Sequence, residues 1–292
     1  MFACTWAVLS IFRRFYTAPF LRLALAIKTR AASAASTGLV AALTMNLLAF
    51  DTSTETLSIA VQRGDETLTH EGAGGAQASA QLIGQALRLL QEAGLRVQQL
   101  DAIVFGRGPG AFTGLRTACA VAQGLAWGAG VPVLPLDTLH AVAEHARQQH
   151  GCTRVLACLD ARMGELYAAP WQWQPGASAA GGLWHSLAPA RVCAPADLAL
   201  PAGADAPQDW ALVGQAEVYA DQLPAPLAAL PRYSARPAAS ALLALAPPLL
   251  AAGQALPADQ ALPLYVRDKV AQTTAERLAA RAQAAAHTPP QT

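Results

Sequence analysis

The sequence predicts an α/β fold made of two consecutive modules, and three observations carry this prediction. From Met45 onward, three strand patterns precede the first helical pattern, and strands and helices alternate after it. A glycine-rich segment, Gly106–Arg116, stands where a strand passes into a helix. A second strand with an acidic end, Arg154–Arg162, begins a similar series. The order βββαβαβα is that of a ribonuclease-H-like module, and two such modules in tandem form the actin-like or ASKHA architecture.

The first module is predicted over residues 45–150. A buried strand is followed by a turn, Asp51–Thr56, whose hydroxyl and carboxyl side chains can bond their own backbone. Two further strands complete an antiparallel meander, and apolar residues at helical spacing predict a helix that ends at Gly94. The elements in chain order are strands Asn46–Phe50, Leu57–Gly64 and Glu66–Gly72, helix Ser79–Gly94, strand Ala102–Phe105, helix Gly114–Ala129, strand Val131–Asp137 and helix Thr138–His150.

The second, more divergent module is predicted over residues 151–270. Its first strand, Arg154–Arg162, is followed by an alternating strand, Glu165–Trp173. The signal then weakens, and the expected elements are a third strand within Leu183–Cys193, a loop at Ala202–Asp209, a strand at Trp210–Gly214 and a helix within Pro237–Gly253. Residues 271–292 are rich in Ala, Arg and Gln, and we expect them to fray.

Residues 1–44 differ in composition from the rest of the chain. They carry five Arg or Lys residues and no acidic residue, and their apolar runs are too interrupted for a membrane span. We therefore expect a disordered leader or an over-extended reading frame, with Met45 as a natural start.

The five cysteines are scattered without a CxxC pair, which favours a reducing cytoplasm. A net charge of +1 argues against a broad nucleic-acid footprint.

The glycine-rich segment has the composition of a phosphate cradle at a helix N-terminus. A Walker loop is excluded because no Gly-Lys-Ser/Thr follows. Gly106, Gly108 and Ala111 also fit a dinucleotide fingerprint, with Asp137 ending the next strand. Three preceding meander strands and Pro109 inside the turn argue against that interpretation.

Two acidic turns leave two interpretations open. Asp51, with Thr52, Ser53 and Gly108–Gly110, could hold magnesium and phosphate, or the turn could only shape the hairpin. Asp160 and Arg162 form either an exposed ion pair or a contact that organises the geometry between the modules. The histidines are expected at the surface or at helix ends. None has the i, i+4 spacing of a helical metal site, and no nucleophile has a base beside it, so we predict no metal site and no catalytic residue.

Four segments together resemble the TsaB (YeaZ) family: LAFDTSTETLSIAV, GRGPGAFTGLR, RVLACLDARMGELY and PLYVRDKVA. The resemblance covers about Met45 to Lys269. It implies a tandem ribonuclease-H-like fold and a role in making threonylcarbamoyladenosine beside the anticodon of tRNAs that read codons starting with A. The motif positions are Asp51, Thr52, Ser53, Gly108, Pro109, Gly110, Phe112, Thr113, Gly114, Arg116, Asp160 and Arg162.

The resemblance also implies partners. TsaB is similar to the transferase TsaD but lacks its helical His-x-x-x-His, so it implies a non-catalytic subunit that pairs with TsaD through its first two helices. TsaE, an ATPase, joins that pair, tRNA is reached through the complex, and the lone chain can form a homodimer. No cofactor of its own is implied. The interface residues expected here are Leu82, Ala86, Leu90, Leu115, Ala118, Ala122 and Leu125.

One departure and one rival function accompany this resemblance. Many family members begin the first helix with His-[ST] and carry a proline later, where this chain has Ala78-Ser79 and Gly84. A role of that histidine is therefore not carried over. The alternative function is an ATP-dependent transferase or kinase of the actin-like class, in which Asp51, Thr52, Ser53, Gly108 and Gly110 would hold Mg-ATP.

Overall fold

The computed structural model describes residues 45–176, 182–204 and 207–267. The predictions for residues 1–44 and 271–292 lie outside the described residues. Within these ranges the chain forms two β-sheets, and helices cover the first sheet and fill the space between the two.

The first sheet has five strands in the order β3-β2-β1-β4-β5. They are β1 (Asn46–Asp51), β2 (Thr56–Arg63), β3 (Glu66–Ala73), β4 (Ala102–Gly108) and β5 (Val133–Asp137). The strands β1, β2 and β3 pair antiparallel, whereas β4 pairs parallel with β1 and β5 parallel with β4. The predicted meander and the ribonuclease-H-like order are confirmed. The carboxyl ends of β1 and β4 therefore meet at one edge of the sheet, which is where the glycine-rich segment leaves it.

Two helices cover the outer face of this sheet. They are α1 (Ala78–Glu92) and α2 (Phe112–Ala129). Gly94 and Gly130 have φ of +66° and +69°, and these left-handed residues end the two helices. Apart from Leu115, the expected interface positions lie on the inner side of both helices, in a core shared with Phe50, Ile59 and Phe105.

The residues expected at the partner interface lie in the interior and not at the surface. Six of the seven are at most 2% exposed, and Leu125 is half-buried against the same core. Helical spacing of apolar residues identifies the face that packs on the sheet, and here that face is internal. The buried six are Leu82, Ala86, Leu90, Leu115, Ala118 and Ala122.

The second sheet repeats the topology of the first. Its strands are β6 (Arg154–Arg162), β7 (Glu165–Pro175), β8 (Gly182–Ser186), β9 (Arg191–Cys193), β10 (Ala211–Gly214) and β11 (Arg232–Ser234), in the order β11-β10-β6-β7-β8, with β9 also paired to β7. The third strand expected within Leu183–Cys193 is divided into two short strands. The strand β11 was not predicted, because its three residues are too few to show alternation.

Helices from both halves fill the space between the sheets. They are α3 (Thr138–His150), which follows β5, and α5 (Ala239–Ala251), which follows the short α4 (Ala225–Ala228) and β11. They pack against each other, with α3 against β6 and β10 and α5 against β1, β2 and β4. One continuous apolar core results, and it joins the two sheets into a single body. The backbone N–H of Ala239 donates to Ser58 Oγ at 2.9 Å, which anchors α5 to the first sheet.

His140 lies inside this core, so the expectation of a surface histidine is wrong for it. Its ring is 9% exposed and stacks on Trp171 with ring centroids 4.3 Å apart. Burial lowers the pKa of His140 to about 4, against the opposing charges of Asp137 and Glu144. The ring is therefore neutral near pH 7 and acts as a core aromatic.

Candidate functional site

The acidic turn after β1 is closed upon itself. The Asp51 side chain is completely buried, and its Oδ1 accepts hydrogen bonds from Ser53 N–H at 2.8 Å and Ser53 Oγ at 2.5 Å. Thr138 Oγ1 lies 3.4 Å from Asp51 Oδ2 and accepts a bond from Gly108 N–H at 3.1 Å. Thr52 Oγ1 donates to Gly114 O at 2.7 Å. This is the geometry of a turn that shapes the chain.

The glycines of the following loop make room for that turn. A Cβ added at Gly106 would lie 1.7 Å from Asp51 Oδ2, and one at Gly114 would lie 1.8 Å from Thr52 O. The Ala111 N–H donates to Ser53 O at 2.7 Å, so it is bonded within the chain, as is the Gly108 N–H. These two N–H groups are therefore not free to bind an anion as a phosphate cradle would require. The loop instead allows the backbone segments to pack closely.

These residues do not fit a magnesium-bound nucleotide. Magnesium prefers an octahedral set of oxygen ligands and keeps several waters. The Asp51 carboxylate reaches no solvent, and Thr52 and Ser53 are 0% and 2% exposed with their hydroxyls already bonded. Burial raises the pKa of Asp51 to about 6, although the Ser53 hydrogen bonds lower it.

We expect Asp51→Asn to stabilise the protein at pH 7.5. The raised pKa means that the folded state binds more protons than the unfolded state between about pH 4 and 6, so the carboxylate costs stability as pH rises through this window. An amide avoids that cost and can still accept from Ser53, which gives a gain of up to about 3 kcal/mol at pH 7.5. Urea unfolding of the variant and parent from pH 4 to 8 measures it. A variant that is less stable throughout would contradict this reading of the turn.

A second acidic turn faces the first across a cleft. Asp160 Oδ1 accepts from Arg162 N–H at 2.8 Å and from the Tyr219 hydroxyl at 2.9 Å. Arg162 has a φ of +63° and its guanidinium pairs with Glu55 of the first half. Asp160 and Arg162 thus form a structural turn, and Arg162 also makes a contact between the two halves. Because Arg162 and Glu55 are 69% and 73% exposed, the pair adds little stability and serves mainly orientation.

A strap formed by Leu262–Arg267 crosses the same cleft. The Leu264 N–H donates to Arg107 O at 2.7 Å on the first half. Arg267 Nη2 donates to Ala161 O at 2.9 Å and pairs with Glu165 at 2.6 Å on the second half. The sequence marked Tyr265–Arg267 only as a motif, because an extended segment without a ladder leaves no periodic signal.

The strap also fixes the start of α2. Tyr265 packs on Phe112 with ring centroids 5.3 Å apart, and its hydroxyl accepts from Arg116 Nε at 3.1 Å. The Arg116 guanidinium lies 3.8 Å from the Phe112 ring centroid. The motif residues Phe112 and Arg116 are thereby tied to the far end of the described chain, and the neighbouring Thr113 is exposed.

The cleft that remains has a volume of about 290 Å³ and is open to solvent. Its walls come from both halves: the acidic turns, the start of α2 and the strap. Both signs of charge line it: Arg162 pairs with Glu55 and Asp160, and Arg267 lies in the same wall and pairs with Glu165. It brings together Ser53, Gly110, Phe112, Asp160 and Arg162 from the predicted motif positions.

Part of the solvent-facing side of α1 and α2 is apolar. Ile83 and Leu87, one turn apart on α1, are 45% and 44% exposed, and Trp127 on α2 is 66% exposed. Glycines and alanines lie between these residues and leave the helix backbones accessible. We call this surface the outer helix face; it comprises Ala80, Ile83, Gly84, Leu87, Ala120, Gly124, Trp127 and Gly128.

The part of the chain that the structure describes carries neither a metal-ligand cluster nor a membrane-spanning helix. No group of three or more His, Cys, Asp or Glu residues placed to hold a metal ion occurs there. Among the same residues, no helix is long and apolar enough to span a membrane.

Comparison with known proteins gives a consistent set of similarities. Residues 74–275 match the family model described as TsaD, tRNA N6-adenosine threonylcarbamoyltransferase. The chain is 31% identical to the tRNA threonylcarbamoyladenosine biosynthesis protein TsaB of Escherichia coli over 78% of this chain and 96% of that protein. It is 39% identical to the protein of that name from Haemophilus influenzae, over 52% of this chain and 65% of that protein.

Solved structures agree. The structure titled "YeaZ from Pseudomonas aeruginosa" is 37% identical to this chain and superposes with a TM-score of 0.67, covering 76% of this chain and 99% of that one. A second structure from that organism, described as similar to peptidase YEAZ, gives 37% identity and a TM-score of 0.68. The tandem ribonuclease-H-like fold predicted from the sequence is confirmed.

Proposed function

Because this chain belongs to the TsaB family, we propose that it acts in tRNA threonylcarbamoyladenosine biosynthesis as a partner subunit and not as the transferase. The observation that carries this role is the closed turn at Asp51, whose residues do not fit a magnesium-bound nucleotide. Asp51 is fully buried, and the glycine loop is packed against the Asp51–Ser53 turn. No cofactor of its own is part of the proposal; ATP is used by the complex.

The proposed partner is TsaD, with TsaE joining the pair and tRNA bound through the complex. The outer helix face supports this assignment because large apolar side chains exposed on neighbouring helices are typical of protein interfaces. We assign the contact with TsaD to the exposed Ile83, Leu87 and Trp127, in place of the seven residues expected from the sequence. In the absence of TsaD the same face would join two copies of this chain. The proposed compartment is the cytoplasm.

Depletion of this protein in its own bacterium tests the role. We expect the amount of threonylcarbamoyladenosine in tRNA hydrolysates to fall, and a plasmid copy of the gene to restore it. Mass spectrometry of total tRNA nucleosides provides the measurement, with an unrelated modified nucleoside as the internal control. Unchanged threonylcarbamoyladenosine after depletion would refute the proposal.

The alternative, an ATP-dependent transferase or kinase, makes a different prediction for the isolated chain. An enzyme of that class binds ATP with magnesium near micromolar affinity, or about −8 kcal/mol. We expect titration calorimetry of the isolated chain with Mg-ATP and Mg-ADP to show no binding in that range, because the carboxylate and hydroxyls of the Asp51 turn are buried. Saturable micromolar heat would favour the enzyme.

A further inference from the structure

A basic pocket lies at the far edge of the second sheet and shares no lining residue with the cleft. The last turns of α3 form one wall, and β11 with the two residues after it forms the other. Its volume is about 590 Å³, and it is open to solvent. The basic pocket is defined here by Arg232, Arg236, His145 and His150.

The charge of this pocket is one-sided. Its eight lining residues include two arginines and two histidines and no acidic residue, so the two guanidinium groups supply its fixed charge. Arg236 pairs with Glu71 of β3, but that pair is half-exposed and neutralises one charge at most. Arg232 Nη1 donates to Ala228 O at 3.0 Å. This bond occupies one of the five N–H donors of the guanidinium and leaves its positive charge unpaired by a carboxylate.

The two histidines place imidazole rings at the pocket wall. The pKa of His145 is lowered, first by burial and then by the charges of Arg236 and His150, which outweigh the opposing charge of Glu71. His145 Nδ1 is buried and has no hydrogen-bond partner among the described residues. His150 stacks on Tyr233 with ring centroids 4.6 Å apart, which holds its ring at the pocket wall.

A phosphate group satisfies these features better than a protein surface does. Protein interfaces have an apolar, aromatic centre, and none of the exposed large hydrophobic side chains among the described residues lines this pocket. Arginine offers a planar set of donors that matches phosphate oxygens. The pocket is also larger and more open than a single inorganic phosphate requires, which favours a phosphodiester chain crossing it.

We propose that the basic pocket binds backbone phosphates of the tRNA that the complex modifies. This rests on the proposed function, which supplies tRNA as the ligand. Phosphate contacts position an RNA without reading its sequence, so the pocket orients the tRNA and another surface of the complex selects the base. Binding of an anion there also raises the pKa of His145 by offsetting the charges of Arg236 and His150.

The test compares three variants of the full chain, alone and with TsaD, by fluorescence anisotropy with labelled tRNA at 50 to 200 mM salt. Each lost phosphate contact reduces the slope of log affinity against log salt by about 0.7 to 0.9. We expect R232Q/R236Q to lower the slope by about 1.5 and the affinity about tenfold at 0.1 M salt. R191Q, which changes an exposed arginine on β9, serves as the charge control and should match the parent.

E71Q separates charge from structural damage. It breaks the same ion pair as the loss of Arg236 but leaves the pocket more positive, so we expect tRNA binding to stay equal or tighten. NMR titration of His145 supplies a second readout, with its pKa rising when tRNA is added. The proposal is overturned if R232Q/R236Q keeps the parent slope, if E71Q weakens binding as much, or if inorganic phosphate but not tRNA moves His145.

The outcome is separable from that of the proposed function. Measurement of tRNA binding by the isolated chain does not depend on TsaD, whereas the depletion experiment does not depend on the pocket. Loss of TsaD binding in R232Q/R236Q, with tRNA binding intact, would overturn the phosphate site and mark the pocket as a protein contact.

Discussion

Gly114→Ala is expected to lower the free energy of unfolding by more than about 3 kcal/mol, because overpacking against backbone cannot be relieved by a rotamer change. The new Cβ would lie 1.8 Å from Thr52 O, so α2 must move away from the turn after β1. Thr52 Oγ1 would also lose its bond to Gly114 O, which leaves a buried hydroxyl unsatisfied. Urea unfolding followed by circular dichroism measures the change.

Gly124→Ala is the matched control in the same helix. No atom lies within 4 Å of its added Cβ, and alanine is the better helix former, so we expect a gain of about 0.5 to 1 kcal/mol. If the same Gly→Ala change lowers the free energy of unfolding at Gly114 and raises it at Gly124, ten residues later, Gly114 serves close packing. Equal effects at the two positions would contradict that role.

The second large effect is expected at the outer helix face. The double variant I83E/L87E should weaken binding to TsaD more than 100-fold, which corresponds to about 2.7 kcal/mol. Two charges placed at the centre of an apolar interface must be desolvated without partners when the complex forms. Because Ile83 and Leu87 are nearly half-exposed, the fold of the variant should be retained. Titration of labelled TsaD with each variant gives the affinity.

Two controls define the surface. Val218→Glu changes a side chain that is 72% exposed on the second half, and we expect parent-like affinity for TsaD. Leu82→Ala removes a core side chain, so it should lower stability by about 2 to 5 kcal/mol. If I83E/L87E bound TsaD as tightly as V218E does, the outer helix face would not be the interface.

In the first half the sequence predicted the element order, because the helices and strands there are long enough to show their periods. In α1, however, the same periodicity directs attention to Leu82, Ala86 and Leu90, which are the residues that pack on the sheet. The surface residues, Ile83 and Leu87, each follow a core residue by one position. An apolar residue next to the buried stripe is a usable signal for an interface, but it becomes visible only once the sheet-facing side is known.

The candidate site was partly predictable for the same reason. The glycine segment and the Asp51 turn are local, so their contact at the edge of the first sheet follows from parallel β1 and β4. Whether Asp51 faces a ligand or the interior depends on packing by Thr138 and Gly106, which are distant in sequence. The strap and the Tyr219 contact with Asp160 are also long-range and carry no periodic signal.

The most direct test of the partner role measures threonylcarbamoyladenosine in tRNA of cells whose only copy of this protein is I83E/L87E. The parent and V218E are expected to restore the modification to its normal amount, and I83E/L87E to leave it as low as depletion does, with the variant protein present at normal abundance. Full modification in cells that contain only I83E/L87E would contradict a partner subunit that acts through the outer helix face.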